Sequence, residues 1–227
     1  DRYSSPPGLH EQIEAQIGEF PFHGFWGPAA GIASSRWIVE CAMAEFQISR
    51  PHLQLIYLPH LDYSLQRVGP EHPSIADEVR AIDHEVGRLL AFAEAQGAAV
   101  MLLSEYGIEA VAQSVSINRV LRAEGLLQVR QSLSWELLDP GASAAFAVAD
   151  HQVAHVYVKH AQDIPRVKAL LQRQPGIEQV LDKAEQRVWQ LDHPRSGELV
   201  AVAAAGFWFD YYYWLDERKA PDFARTV

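Results

Sequence analysis

Two polar stretches follow apolar runs of the chain, and each carries a carboxylate. Asp62 comes after the apolar run 53–58, in the stretch LPHLDYSLQRVGP, and Glu105 comes after the run 98–103, in the stretch SEYG. In open parallel sheets, ligands bind in the crevice beyond the carboxyl ends of the strands. If both runs are buried strands of one sheet, the two carboxylates meet at one rim of a ligand-binding crevice. The alternative is that both are loop carboxylates that cap an element and face water.

A histidine lies close to the first carboxylate. His60 stands two residues before Asp62 and can reach the same crevice, either as a cation ligand or as a general acid. A histidine at a strand end that bonds only to backbone is an equally good interpretation. If the first interpretation holds, His60 is the catalytic residue of this stretch.

The elements that must position these residues follow from the apolar periodicity. Apolar residues at three- and four-residue spacing predict a helix from Ser34 or Ser35 to about Ile48. A second helix is predicted between the two apolar runs, where Ser74 with Asp77 three residues later reads as an N-cap and Gly97 ends the helix. Strand, helix and strand in this order predict a right-handed parallel crossover.

The pattern of predicted elements changes after this crossover. Residues 109–198 read as a compact α+β subdomain, with strands in AFAVAD and HVYV and an amphipathic helix that is capped by Asp163 and has Pro165 in its first turn. Residues 199–227 return to strand character. The predicted organisation is therefore an α/β core made of 1–108 and 199–227, with 109–198 inserted as a cap.

Three further features of the second half have two interpretations each. His151 and His155 are spaced so that they can bind a metal, but they fall in the predicted cap. The aromatic run 207–214 can stack a nucleobase, although its alternation favours a buried strand. Arg195 can pair with a phosphate or with a surface carboxylate.

The net charge, the cysteine count and the length of the apolar runs exclude several classes of protein. The formal charge of −10 and the lack of a basic cluster argue against a nucleic-acid polymer as partner, whereas a small phosphorylated substrate remains compatible. The single Cys41 excludes an intramolecular disulfide framework. No apolar run reaches the roughly 20 residues of a membrane span.

The chain begins with Asp1 rather than Met, as a processed or excised piece would. The compartment is left open, with the cytoplasm preferred.

The two polar stretches resemble a known family. Asp62-x3-Gln66-x2-Gly69-Pro70 is similar to the D-x3-H-x2-G-P metal motif of the nucleotide pyrophosphatase/phosphodiesterase family of the alkaline phosphatase superfamily, and the stretch 104–107 stands where that family has S-D-H-G. The resemblance implies an alkaline-phosphatase-like α/β core, with a parallel sheet flanked by helices, and a small inserted α+β cap. It also implies a bimetallic hydrolase of phosphodiester or pyrophosphate bonds, usually with zinc.

The resemblance also implies a set of metal ligands and shows where this chain departs from it. Asp62 and Glu105 would each bind one metal, and Gln66 and Tyr106 occupy positions where the family has histidine ligands. Oxygen donors suit magnesium or manganese better than zinc. The family's nucleophilic Thr or Ser and its final histidine are not recognisable in 1–227.

Two functions follow from these observations. The first is a metal-dependent hydrolase, similar to the nucleotide pyrophosphatases and present as a partial or divergent chain. The second is a non-catalytic relative that keeps the fold and binds a small phosphorylated ligand or a protein partner, which the altered ligand positions favour. A core that lacks strands would expose sheet edges and apolar surface, which makes a homo-oligomer possible.

Overall fold

The computed structural model describes residues 3–225 and shows a mixed α/β chain. The chain forms two compact units, one up to Ala110 and the other from Val111 onward. The prediction of an α/β protein is confirmed. None of the helices in the described range is both long and apolar enough to cross a bilayer.

The first unit is built from helices. Their bounds are α1 (Leu9–Ile17), α2 (Ile32–Ser49), α3 (His60–Val68) and α4 (Ile75–Ala95). The predicted helices at 34–48 and 74–97 are therefore confirmed as α2 and α4. Ser74 does not cap α4 through its side chain, because its hydroxyl lies 2.8 Å from His72 Nδ1 instead.

Helices α2 and α4 are held together by a buried carboxylate as well as by apolar contacts. The Glu85 side chain is only 2% exposed, and its two oxygens accept hydrogen bonds from Arg36 Nε at 3.0 Å and Arg88 Nη1 at 2.6 Å. Arg88 also reaches Glu40 on α2 at 3.2 Å. Burial opposes the ionisation of Glu85, but the two arginines outweigh it and hold the pKa of this carboxyl below its usual value.

The two apolar runs that frame α3 and α4 do not form the predicted strands. Residues 53–58 and 98–103 are not helical, and neither run is paired with a strand in the described part of the chain. The predicted parallel crossover is therefore also wrong for these residues. The physical reason is that a strand requires a neighbour to satisfy its backbone groups. Both runs are instead largely exposed, with Leu55 at 87% and Met101 at 85% exposure.

The second unit contains the sheet structure. Its strands are β1 (Gln113–Val115), β2 (Val129–Ser132), β3 (Trp135–Leu138), β4 (Ala145–Asp150), β5 (Val153–Val158), β6 (Ile177–Leu181), β7 (Leu199–Ala203) and β8 (Phe207–Phe209). Strands β4, β5, β7 and β6 form an antiparallel sheet in that order, β2 pairs with β3, and β1 pairs with β8 in parallel. The predicted strands AFAVAD and HVYV are confirmed as β4 and β5.

Three helices accompany these strands. They are α5 (Ile117–Ala123), α6 (Ile164–Gln172) and α7 (Lys183–Val188). Helix α6 confirms the helix predicted after Asp163, although the Asp163 side chain forms no cap. Helix α7 begins with a capping box, in which Asp182 and Glu185 bond to each other's backbone N–H.

The core of the second unit lies between this sheet and its helices. It includes Ile117 and Leu121 of α5, Leu171 of α6, and Val156 and Leu199 of the sheet, all at most 1% exposed. Strand β7, from the segment 199–227, is hydrogen-bonded between β5 and β6 inside this unit. The assignment of 199–227 to the core of 1–108, and of 109–198 to an inserted cap, stays a prediction.

The Glu85 network yields a prediction about stability. Glu85→Gln should lower the free energy of unfolding by about 2 kcal/mol at neutral pH, because it removes a charge-assisted partner of two arginines. The folded-state pKa of Glu85 is depressed, so this stabilisation is complete above the ordinary glutamate pKa of about 4.3 and is lost as pH falls through the folded-state value.

Chemical denaturation at several pH values measures this effect. Glu94→Gln, which neutralises an exposed carboxylate on the same helix, is the matched control and should change little. A difference between wild type and Glu85→Gln that stays constant down to the lowest pH would contradict the assigned role.

The unpaired apolar runs yield a second prediction. Replacing both Leu55 and Met101 with Gln should reduce self-association of the 227-residue chain, because exposed apolar runs with unpaired backbone groups promote edge-to-edge contact. Sedimentation velocity over a range of concentrations measures it. Leu133→Gln removes a single residue of similar exposure, 87%, and serves as control. Equal association of the double variant and wild type would show that these runs are not the contact.

Candidate metal centre

Helix α3 places Asp62 and Gln66 on one face. Asp62 lies in the first turn, where a carboxylate interacts favourably with the positive end of the helix dipole. Gln66 follows four residues later, so the two side chains are neighbours, and Gln66 Nε2 donates a hydrogen bond to Asp62 Oδ1 at 3.0 Å. The helix ends before Gly69, whose φ of +81° is accessible to glycine at little cost. The glycine of the D-x3-Q-x2-G-P motif therefore ends the helix that carries its aspartate.

The second polar stretch reaches the same carboxylate. Tyr106 donates a hydrogen bond from its hydroxyl to Asp62 Oδ1 at 2.8 Å, across a separation of 44 residues in sequence. Ser104 Oγ donates to the Tyr106 carbonyl at 2.8 Å, which fixes the turn of this stretch. The two motifs singled out in the sequence are therefore brought together at one oxygen atom.

The ionisation of Tyr106 reflects this contact. The hydrogen bond to Asp62 is the main cause that raises the pKa of the Tyr106 hydroxyl well above its usual value, with burial and the charge of Asp62 adding to it. Glu105 is close enough to contribute in the same direction. Tyr106 is therefore a neutral phenol at physiological pH and acts as a hydrogen-bond donor.

His60 lies at the start of the same helix but has different surroundings. Its side chain is 1% exposed, and its Nε2 lies 2.8 Å from Glu78 Oε2 on α4, without the geometry of a hydrogen bond. The imidazole thus faces α4, and its neighbour there, Glu78, was not among the predicted site residues. Nothing in the local sequence pattern pairs these two residues. The catalytic role predicted for His60 stays a prediction.

The donor set can be compared with the metals that the resemblance implies. Among residues 3–225, no cluster of three or more His, Cys, Asp and Glu side chains has the arrangement of a metal site. The predicted ligands also include no imidazole and no thiolate, which are the donors that zinc prefers. The four predicted ligands, Asp62, Gln66, Glu105 and Tyr106, offer oxygen donors, which suit magnesium or manganese better than zinc. Their role as metal ligands stays a prediction.

The remaining candidate residues, which the sequence places in the second half of the chain, lie in turns, in the core or at the surface. His151 lies in the turn between β4 and β5, whereas His155 Nδ1 accepts a hydrogen bond from Gly197 N–H at 3.3 Å. The aromatic run contributes Phe209 and Trp214 to the buried core, which supports its interpretation as core. Arg195 is exposed.

Comparisons with known proteins bear on both the fold and the motifs. The family model for type I phosphodiesterase / nucleotide pyrophosphatase matches residues 1–226. No curated protein matches the chain by sequence.

Solved structures also resemble the chain. Murine ectonucleotide pyrophosphatase/phosphodiesterase 5, as an inactive variant in complex with AMP, superposes with a TM-score of 0.55 at 20% identity, over 78% of this chain and 45% of that one. Phosphonoacetate hydrolase from Sinorhizobium meliloti, in complex with phosphonoacetate, gives a TM-score of 0.53 at 16% identity, over 94% and 48%. At these identities the likeness shows an alkaline-phosphatase-like fold. The chain spans about half the length of these structures.

Proposed function

Because the chain belongs to the type I phosphodiesterase / nucleotide pyrophosphatase family, we propose that it forms the metal-binding part of a hydrolase of phosphodiester or pyrophosphate bonds. The observation that carries the proposal is the meeting of the two motifs at Asp62 Oδ1, through Gln66 and Tyr106. A carboxylate that only caps its own helix does not require such a partner 44 residues away in sequence.

Asp62 and Glu105 are the proposed ligands of two divalent cations, with each carboxylate on a different ion, as the resemblance to the family implies. When bound, a divalent cation stabilises charge on phosphoryl oxygens and activates a nucleophile. The formal charge of −10 makes such a cation useful, because a negatively charged phosphate would otherwise meet an acidic protein. Two of the solved relatives are complexes with AMP and phosphonoacetate, and we propose a small phosphorylated substrate of this kind for the protein that contains this chain.

The proposal is tested by hydrolysis of an artificial phosphodiester, bis(p-nitrophenyl) phosphate, in the intact natural protein. Asp62→Asn should lower kcat/KM by more than about 100-fold, because it removes a ligand rather than an outer partner. Asp83→Asn, which neutralises an exposed carboxylate on α4, is the control and should retain activity. Binding of the phosphodiester without turnover in the wild-type protein would contradict the proposal.

The choice of metal is a separate proposal with its own test. We expect Mg²⁺ or Mn²⁺ to support more turnover than Zn²⁺ after the protein is stripped with a chelator, because the proposed ligands are oxygens and none is an imidazole. Titration of the stripped protein with each cation, followed by the phosphodiester assay, measures this order. Restoration by Zn²⁺ alone would contradict it and would point to histidine ligands elsewhere in the protein.

A further inference from the structure

The hydrogen-bond donors around Asp62 are arranged in a way that the family motif does not predict. Gln66 and Tyr106 occupy motif positions where the family has ligands, yet each turns a hydrogen toward Asp62. A carboxylate oxygen has two lone-pair sites. Both sites of Oδ1 are occupied by these donors, so Oδ1 offers nothing to a cation, whereas neither of these two bonds involves Oδ2.

We infer that Gln66 and Tyr106 are positioning residues that hold Oδ1 of Asp62 and reserve Oδ2 for a single bond to a divalent cation. This inference rests on the proposed function, since it concerns the same site. It changes the role of both residues from ligand to outer partner. Hydrogen-bonded outer partners fix the orientation of a metal ligand, and their loss commonly weakens metal binding about 10- to 100-fold.

The arrangement also restricts the kind of cation. Ca²⁺ takes six to eight oxygens and often binds a carboxylate through both of them, whereas Mg²⁺ is held by one or two carboxylates and keeps several waters. With Oδ1 occupied, Asp62 can bind a cation only through one oxygen. The site therefore suits a small octahedral cation such as Mg²⁺ or Mn²⁺ and disfavours Ca²⁺.

The hydrogen bond from Tyr106 to Asp62 also affects the position of Glu105. Its stretch lies outside any helix or paired strand of the described chain, and its hydroxyl is bonded to a residue on α3. Glu105 is the residue before it in sequence. The bond to Asp62 thus keeps the stretch that carries the second proposed ligand close to the first.

Binding of Mn²⁺ alone to the intact natural protein tests the inference. Isothermal titration calorimetry should show that Tyr106→Phe and Gln66→Ala each bind Mn²⁺ about 10- to 100-fold more weakly than wild type. Tyr3→Phe, which removes the hydroxyl of a residue that is 91% exposed in the same unit, should bind as wild type does. Addition of Mn²⁺ to wild type should produce no tyrosinate absorbance, because Tyr106 stays a protonated donor. Ca²⁺ should bind more weakly than Mn²⁺.

Several results would overturn the inference. Unchanged Mn²⁺ affinity in both variants would do so, as would tyrosinate absorbance on Mn²⁺ addition, which would make Tyr106 a ligand. Thermal unfolding in the presence of a chelator separates a folding defect from a binding defect, and Gln66 is an exposed helix residue whose replacement leaves packing intact.

The same preparations separate this inference from the proposed function. Phosphodiester hydrolysis that continues while both variants bind Mn²⁺ as wild type does would overturn the positioning roles alone. Loss of hydrolysis in the wild-type protein, with the expected changes in Mn²⁺ affinity, would overturn the function alone. A wild-type protein that binds no Mn²⁺ would overturn the inference, and its hydrolytic activity would then decide the function independently.

Discussion

Backbone hydrogen bonding is the constraint on which the rest of this structure depends. Each apolar run of the chain must satisfy its N–H and C=O groups before its side chains can be buried. The runs of the second unit meet this requirement, because β4, β5, β7 and β6 pair with one another in an antiparallel sheet and their inward side chains form the core. The runs 53–58 and 98–103 are as apolar, yet they have no ladder partner in the described chain and remain exposed. Apolar composition alone therefore does not make a strand.

The first unit is consequently stabilised by helix contacts and polar networks. Buried apolar residues are few in the described part of this unit, and they include Ile13 of α1, Val39 of α2 and Ile75 of α4. The buried Glu85 and its two arginines join α2 to α4, and the ring of Phe46 on α2 meets that of Phe92 on α4 edge-on. The candidate site lies in this same unit, where Tyr106 joins an extended stretch to α3. The polar contact that organises the site thus also restrains a segment without secondary structure.

Two motif positions of the site carry hydrogen-bond donors to Asp62. Asp62 retains the residue type of the family, and the neighbouring positions carry Gln and Tyr in place of histidine. An imidazole can offer a lone pair to a metal, whereas a protonated phenol beside a carboxylate offers its hydrogen. The raised pKa of Tyr106 follows from the same contact, since the Asp62 carboxylate stabilises the neutral phenol. The substitutions therefore form a hydrogen-bonded support around one carboxylate.

The sequence by itself determined the helices α2, α4 and α6, the strands β4 and β5, and the family, because these depend on local periodicity and on motif residues at fixed spacing. It also led to the prediction of Asp62, Gln66, Glu105 and Tyr106 as metal ligands, which stays a prediction. Only the tertiary structure decided that Tyr106 bonds to Asp62, that His60 turns toward Glu78, and that the two framing runs stay unpaired. Those outcomes depend on which distant groups come within hydrogen-bond distance, and no spacing along the chain encodes that distance.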